Sequence, residues 1–96
     1  MCVNEITFDD LKNKIQKFQN KDLYLFLETI IKGTIIIEKS KILINNYKIA
    51  FTDGKELEIG IDVEPITKIE VSEYSNTFKL EFGIGEGATL NFDSNS

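Results

Sequence analysis

The sequence predicts an α+β protein in which one or two N-terminal helices pack on a curled antiparallel β-meander of six to seven strands. Apolar side chains recur at helical spacing over residues 7–32, whereas residues 34–93 divide into short runs that alternate apolar and polar side chains. The fifteen isoleucines favour a sheet, because β-branched side chains suit a pleated surface. A length of 96 residues fits one domain, residues 1–96, and closure of the sheet into a partial barrel is an open alternative.

The first helix is predicted to begin after Thr7, following a loose lead-in over residues 1–5. Thr7 suits the N-cap because its hydroxyl can accept a hydrogen bond from a free N–H of the first turn. Asp9 and Asp10 follow where the helix dipole favours negative charge. The apolar stripe expected to face the sheet comprises Leu11, Ile15 and Phe18.

A second helix is predicted over residues 22–32, with Asp22 as its N-cap and Gly33 just past its end. Its apolar residues lie at the spacing of one helical face: Leu23, Phe26, Leu27, Ile30 and Ile31. A strand is the alternative, because the run from Leu23 to Leu27 is continuously apolar and a short apolar run suits either structure. We favour the helix.

The rest of the chain is predicted to form strands at 34–38, 41–45, 47–52, 56–63, 66–74, 77–84 and 88–93. The clearest pattern lies within 55–64, where four aliphatic residues alternate with acidic residues and a glycine. Turn-forming pairs, among them Lys39-Ser40 and Glu64-Pro65, separate the strands. Short turns predict that successive strands pair as antiparallel hairpins.

Pairing of apolar residues across each turn predicts the register. A two-residue loop after Ile44 pairs that residue with Tyr47, and a two-residue loop at 75–76 places Glu70 opposite Glu81. The Asp-Gly turn between them is predicted to hold three residues. The face expected to meet the helices is Tyr47, Ile49, Phe51, Leu57, Ile59, Ile61, Val63, Ile69, Val71, Phe78, Leu80, Phe82, Leu90 and Phe92.

The net charge of −5 is concentrated in the second half of the chain. Residues 51–96 hold three lysines and ten acidic residues, whereas residues 1–50 hold eight lysines and six acidic residues. Arginine and histidine are absent. Because nucleic-acid binding needs cationic contacts to phosphate, this composition argues against direct nucleic-acid binding and favours a basic protein partner.

One predicted face of the sheet collects acidic side chains and is the first candidate binding surface. Strand alternation and the predicted register place there Glu56, Glu58, Asp62, Glu64, Glu70 and Glu81. Like charges directly opposite each other destabilise a sheet, so such a cluster is a candidate for binding a basic partner. A plain solvated face is the alternative, because exposed charges are ordinary on protein surfaces.

Ile36 and Leu43 form the second candidate surface. Both faces of the strands at 34–38 and 41–45 are apolar, and the predicted hairpin leaves these two residues paired on the outer side. An exposed apolar strand invites pairing with another chain, which predicts a homo-oligomer. The alternative is that the first helix or the N-terminal segment covers both residues.

Nucleophilic and metal chemistry lack the residues they need. Without histidine, neither Cys2 nor a serine has an imidazole base, and a zinc site lacks ligands. We therefore expect no enzymatic activity, no metal and no cofactor. The glycine-rich run 83–87 is expected to be a hairpin turn and not a phosphate loop, because a strand follows it where such loops lead into a helix.

The location expected for the protein is the cytoplasm. No apolar stretch reaches the roughly 18–20 residues that span a bilayer, and the N-terminus lacks the basic and apolar regions of a signal peptide. The single cysteine, Cys2, fits a reducing compartment, and its role stays open. We therefore expect no association with membranes.

Together these patterns favour a small, non-catalytic interaction protein. The sharpest form of that hypothesis is an acidic inhibitor, of the immunity or anti-defence type, that mimics nucleic acid towards a basic nuclease or nucleic-acid-binding protein. One alternative is a structural module that self-associates through its apolar strands. Another is a ligand-binding or enzymatic domain with a site between helices and sheet.

Overall fold

A computed structural model of the chain describes residues 3–29, 32–72, 76–83 and 85–93. These residues form one helix, α1 (Phe8–Ile15), a 3-10 turn (Gln16–Phe18) and eight strands. The strands are β1 (Val3–Glu5), β2 (Lys21–Glu28), β3 (Lys32–Ile44), β4 (Lys48–Thr52), β5 (Glu58–Asp62), β6 (Lys68–Ser72), β7 (Thr77–Gly83) and β8 (Glu86–Phe92). They make an open antiparallel sheet in the order β1-β6-β7-β8-β2-β3-β4-β5. The predicted α+β class is confirmed, with eight strands in place of six to seven.

Helix α1 begins where its capping residue predicts. The Asp10 N–H donates to the Thr7 hydroxyl at 3.1 Å, and the Thr7 N–H donates to the Asp10 carboxylate at 3.4 Å. This reciprocal capping box satisfies two backbone donors that the helix leaves free. Leu11, Ile15 and Phe18 are all buried against the sheet core, as their spacing predicts.

The predicted second helix is wrong, because residues 21–28 are strand β2. Leu23 and Leu25 are buried, whereas the alternate residues Tyr24 and Phe26 point to the outer face. β2 lies between β8 and β3, and their two ladders satisfy its backbone on both sides. A continuous apolar run suits this central position as well as it suits a helical stripe. Ile30 and Ile31 of the predicted stripe lie outside the described residues.

The predicted loose lead-in is partly wrong. Residues 3–5 form strand β1, which pairs antiparallel with β6, and the Ile6 N–H donates to the Ile69 carbonyl at 2.9 Å. β1 therefore pairs with the edge of β6 at which the predicted meander placed β5.

The predicted hairpin at Lys39-Ser40 is also wrong, because β3 runs straight through it. A bulge replaces the turn: Lys39 has a φ of +48°, and its N–H donates to the Asp22 carboxylate at 3.0 Å. The first part of β3 pairs with β2 and the second part pairs with β4. Just before β2 begins, the side-chain amide of Gln19 continues the hydrogen bonding to β3. It accepts from the Ile42 N–H at 2.8 Å and donates to the Ile42 carbonyl at 2.7 Å.

The turns after Ile44 and Thr52 are longer than predicted and the turn after Gly83 is shorter, so the register shifts without changing the faces. Asn45 accepts hydrogen bonds from the Tyr47 and Lys48 N–H groups through its side-chain oxygen, so Ile44 pairs with Ile49 and not with Tyr47. Because the shift is an even number of residues, side chains keep their faces. The predicted core residues accordingly lie in the core or pack against it, except Tyr47, which is 83% exposed in the turn.

β5 does not pair with β6, so the meander is interrupted at Glu64-Pro65. β6 pairs with β1 and β7, and the segment between β5 and β6 crosses from one end of the strand order towards the other. β5 pairs with β4 alone and ends the strand order. The sheet curls, so that Leu27 of β2 and Phe82 of β7 line the same groove as β5.

Candidate functional site: the acidic edge of the sheet

Strand β5 presents a free backbone edge. The Val63 N–H donates to the Tyr47 carbonyl at 3.0 Å and the Asp53 N–H donates to the Leu57 carbonyl at 3.2 Å, which fixes the odd-numbered residues as those that bond β4. The N–H and C=O groups of Glu58, Gly60 and Asp62 therefore point away from the sheet. In the described part of the chain, no strand pairs with them.

Four of the predicted site residues lie along this strand and its two ends. Glu58 and Asp62 are exposed on β5, and Glu56 and Glu64 are exposed just before and just after it. Gly60, at the centre, is also exposed. Ile59 and Ile61 point to the other face and pack on the core. We call this strand with its four carboxylates the acidic edge.

One lysine lies close to the acidic edge without pairing with it. Lys48 is the cross-strand neighbour of Asp62, but its side chain extends over Gly60. A Cβ built on Gly60 would lie 2.5 Å from Lys48 Cε and 3.1 Å from Lys48 Nζ. Among the described residues, ion pairs within 4 Å join Lys12 to Asp9 and Lys68 to Glu70, and none joins a carboxylate of β5. The acidic edge thus keeps its negative charge.

Glu70 and Glu81 do not belong to the acidic edge. The two-residue shift in register sets Glu70 opposite Lys79 and Glu81 opposite Lys68, so the predicted Glu70–Glu81 pair is wrong. Lys68 Nζ also lies 3.8 Å from a carboxylate oxygen of Glu70. Opposite charges alternate across β6 and β7, and this arrangement explains both carboxylates as ordinary sheet partners.

An apolar groove of about 280 Å³ runs beside β5. Ile59 and Ile61 line it on the strand, and Leu27, Pro65 and Phe82 line it from the neighbouring segments. The sequence pattern did not predict this groove. The groove requires β5 to lie near β2 and β7, whereas the predicted meander placed β5 beside β6.

The second candidate surface is exposed, but its two residues are not paired. Ile36 is 55% exposed and Leu43 is 63% exposed. Both lie on the single strand β3, where Ile36 is opposite Tyr24 and Leu43 is opposite Ala50. Phe26, 41% exposed on the outer side of β2, extends the apolar area near Ile36. Sequence reasoning missed Phe26 because it assigned that residue to a helix.

The loop that leads into β5 is held by Asp53. Its side-chain oxygen accepts hydrogen bonds from the Lys55 N–H at 2.8 Å and from the Leu57 N–H at 3.2 Å. The hydrogen bond from Lys55, supported by that from Leu57 and by the nearby Lys55 charge, lowers the pKa of Asp53 below its ordinary value of 3.8. The loop holds five residues where three were predicted, because Thr52 pairs with Glu58.

The remaining predictions concern turns, membranes and metals. The glycine-rich run is a hairpin turn, as predicted, in which Gly83 pairs with Glu86. Within the described ranges, no helix is long and apolar enough to cross a bilayer. The same residues contain no group of three or more His, Cys, Asp or Glu side chains placed to hold a metal ion. Cys2 lies outside the described residues.

Comparison with protein-family models, with curated proteins and with solved structures finds no match to this chain.

Proposed function

We propose that this chain is a non-catalytic interaction protein that binds a basic protein partner through the acidic edge. The observation that carries the proposal is the five-residue edge strand Glu58–Asp62: in the part of the chain that the structure describes, no strand pairs with its outer edge and its two carboxylates form no ion pair. A negative field of this kind speeds encounter with a basic partner and selects against acidic ones.

The charge of the edge disfavours a second copy of the chain as the occupant. In an antiparallel pairing of two β5 strands about Gly60, Glu58 of each copy would face Asp62 of the other. Like charges directly opposite each other destabilise a strand pair, and charged edge strands are a common protection against self-association. A basic segment interacts favourably with the same carboxylates. The charge of the acidic edge therefore favours a basic partner over a second copy of the chain.

A nuclease or another nucleic-acid-binding protein is the class of partner that the edge fits best. Such proteins carry a cationic surface for phosphate, and carboxylates can occupy it in place of phosphates. Within the acidic edge, Glu58 and Asp62 lie four residues apart on one face of β5, a spacing of about 13 Å along an extended strand. The protein would then act as an inhibitor by occupying the partner's nucleic-acid site.

A pull-down with matched charge variants tests this proposal. We expect basic nucleic-acid-binding proteins to be retained from lysate at about 50 mM salt and lost at several hundred millimolar, where the Debye length falls to about half. The double variant Glu58→Lys with Asp62→Lys should lose them. The control Glu5→Lys with Glu86→Lys adds the same charge at two exposed positions, on β1 and β8, that do not line the groove beside β5, and should retain them.

Inhibition is the second part of the test. A retained nuclease should lose activity when the wild-type protein is added and keep it when the Glu58→Lys, Asp62→Lys variant is added. Equal retention by the β5 variant and the control variant would reject the acidic edge as the binding surface.

A structural module that self-associates through apolar strands is the second candidate function. The exposure of Phe26, Ile36 and Leu43 favours it, because exposed apolar areas often mark interfaces. Sedimentation at increasing concentration is the direct measurement. An oligomer that Ile36→Lys and Leu43→Lys disperse would support self-association, and a monomer at high concentration would reject it.

A further inference from the structure

We infer that the acidic edge holds its partner by strand addition: an extended segment of the partner pairs antiparallel with β5, and its side chains alternate between basic and apolar. This inference rests on the proposed function, since it names how the same edge would bind a basic protein. It differs from charge attraction alone because it requires backbone hydrogen bonds and filling of the groove beside β5.

The backbone of β5 supplies the first requirement. Three N–H donors and three C=O acceptors, those of Glu58, Gly60 and Asp62, point away from β4. An unpaired strand edge of this length is a template for an incoming strand. Gly60 at its centre carries no side chain that would obstruct the approach of another backbone.

The two faces of β5 define the side chains of the incoming strand. Residues paired with Glu58 and Asp62 would point to the outer face, where a lysine or arginine meets a carboxylate. Residues paired with Ile59 and Ile61 would point to the inner face, into the apolar groove. The recognised segment is therefore five residues long, in the order basic, apolar, any residue, apolar, basic.

The size of the groove fits two aliphatic side chains. Its volume is about 280 Å³, and Leu27, Pro65 and Phe82 form its apolar lining opposite β5. An apolar cavity of about 150 Å³ is enough to hold a benzene molecule. Valine or isoleucine at the two inward positions would fill the groove while leaving the incoming backbone extended.

The other end of the sheet lacks this combination. β1 is three residues long, and α1 begins at Phe8, three residues after β1 ends at Glu5. An edge so short offers few backbone groups to a partner strand, and short edge strands are themselves a protection against pairing. Of the two strands that end the strand order, β5 is therefore the one suited to strand addition.

Two capped synthetic peptides are the probes, KVTVK and its charge-reversed form EVTVE. In an NMR titration of the ¹⁵N-labelled protein, millimolar KVTVK should produce saturable shifts at the amides of Glu58, Gly60 and Asp62 and at residues of the groove. EVTVE should produce none. KVTVK methylated on the threonine amide nitrogen, which would face β5, should bind roughly two- to tenfold more weakly, the factor that corresponds to one hydrogen bond.

Methylation of the first valine nitrogen is the matched control for the peptide, because that nitrogen would face away from β5 and its methylation should leave binding unchanged. The matched protein variants are Gly60→Pro and Gly60→Ala. Both add a Cβ that displaces the flexible end of Lys48. Only proline removes the outward N–H, and it breaks no hydrogen bond to β4. Gly60→Pro should weaken KVTVK binding roughly two- to tenfold relative to Gly60→Ala.

The outcomes separate the two proposals. Loss of KVTVK binding with Glu58→Lys and Asp62→Lys, but equal binding to the two threonine- and valine-methylated peptides, would overturn strand addition and leave charge attraction in place. Absence of saturable KVTVK binding would also overturn strand addition, while the pull-down would still decide the proposed function. Because the methylated peptides act on the wild-type protein, the test stands even where Gly60→Pro fails to fold.

Discussion

The two ends of the sheet differ in how their side chains pack and in how their charges are paired. The aromatic half comprises β1, β6, β7, β8 and β2, and the edge half comprises β4, β5 and residues 40–44 of β3. In the aromatic half, Phe18 stacks on Phe92 at 4.7 Å between ring centroids and meets Phe78 edge-on at 6.0 Å. The edge half contributes one buried ring, Phe51, with aliphatic side chains. The edge half has fewer buried aromatic rings, and it carries the carboxylates of β5, which form no ion pair among the described residues.

The two halves also differ in how their charged side chains are paired across the strands. In the aromatic half, each acidic residue on the outer side of β6 and β7 faces a lysine across the ladder: Glu70 with Lys79, and Glu81 with Lys68. In the edge half, Glu58 is opposite Thr52, which carries no charge, and Asp62 is opposite Lys48, whose side chain extends over Gly60. The carboxylates of β6 and β7 therefore each face a lysine across their ladder, whereas in the described part of the chain those of β5 form no ion pair within 4 Å.

The largest expected effect is the loss of an aromatic side chain from the aromatic half. Phe78→Ala should lower the free energy of unfolding by about 3–5 kcal/mol, because it removes a fully buried ring that contacts two others. The matched change in the edge half, Ile61→Ala, should cost about 2 kcal/mol, near the lower limit for a buried aliphatic residue. Denaturant unfolding measures both. A greater loss with Ile61→Ala would break the comparison.

The next effect tests the junction between the halves. Gln19 lies just before β2 begins, and its side chain hydrogen-bonds both backbone groups of Ile42. The Gln19 amide therefore extends the β2–β3 ladder by one position. Gln19→Ala leaves a partly buried donor and acceptor without these partners and should cost about 1–2 kcal/mol. Gln16→Ala removes an exposed side chain whose oxygen accepts a hydrogen bond from the Gln19 amide, and it should change stability by less than about 0.5 kcal/mol. Equal effects would show that Gln19 does not join the halves.

A smaller effect of opposite sign is expected at Ser40, also at this junction. Its side chain is fully buried, and in the described part of the chain its hydroxyl has no hydrogen-bond partner. Ser40→Ala removes an unsatisfied polar group and should raise the free energy of unfolding by about 1 kcal/mol. Ser72→Ala, at a serine on β6 that does have a polar partner, should not raise it. A destabilised Ser40→Ala protein would show that this hydroxyl finds a partner in solution.

Sequence reasoning predicted what depends on neighbours in the chain. The Thr7 cap follows from local hydrogen bonding, and the inward face of every strand from Tyr47 onwards follows from alternation, except at Tyr47 itself. Alternation fixes faces but not register, so an even shift set Glu70 against Lys79 and left the core unchanged. The non-local pairings could not be predicted: β1 takes the edge of β6, and β2 enters the centre of the sheet. Those two insertions are what leave β5 free, so four carboxylates of the site were predictable while the edge and its groove were not.

The smallest effect concerns how the edge half depends on pH. Hydrogen bonds from the Lys55 and Leu57 N–H groups lower the pKa of Asp53 below 3.8, so the ionised carboxylate stabilises the loop before β5. A carboxyl whose pKa is lowered by folding stabilises the protein above its unfolded pKa, and that contribution is lost as the pH falls through the folded pKa. Asp53→Asn keeps an oxygen that can accept the same hydrogen bonds but cannot ionise. The stability difference between wild type and Asp53→Asn should therefore be constant from neutral pH to about 5 and shrink below about 4. Asp53→Ala, which lacks the oxygen altogether, should be less stable than Asp53→Asn at every pH. A difference between wild type and Asp53→Asn that stays constant down to pH 2 would show that the loop before β5 is held by the geometry of the hydrogen bonds and not by the charge.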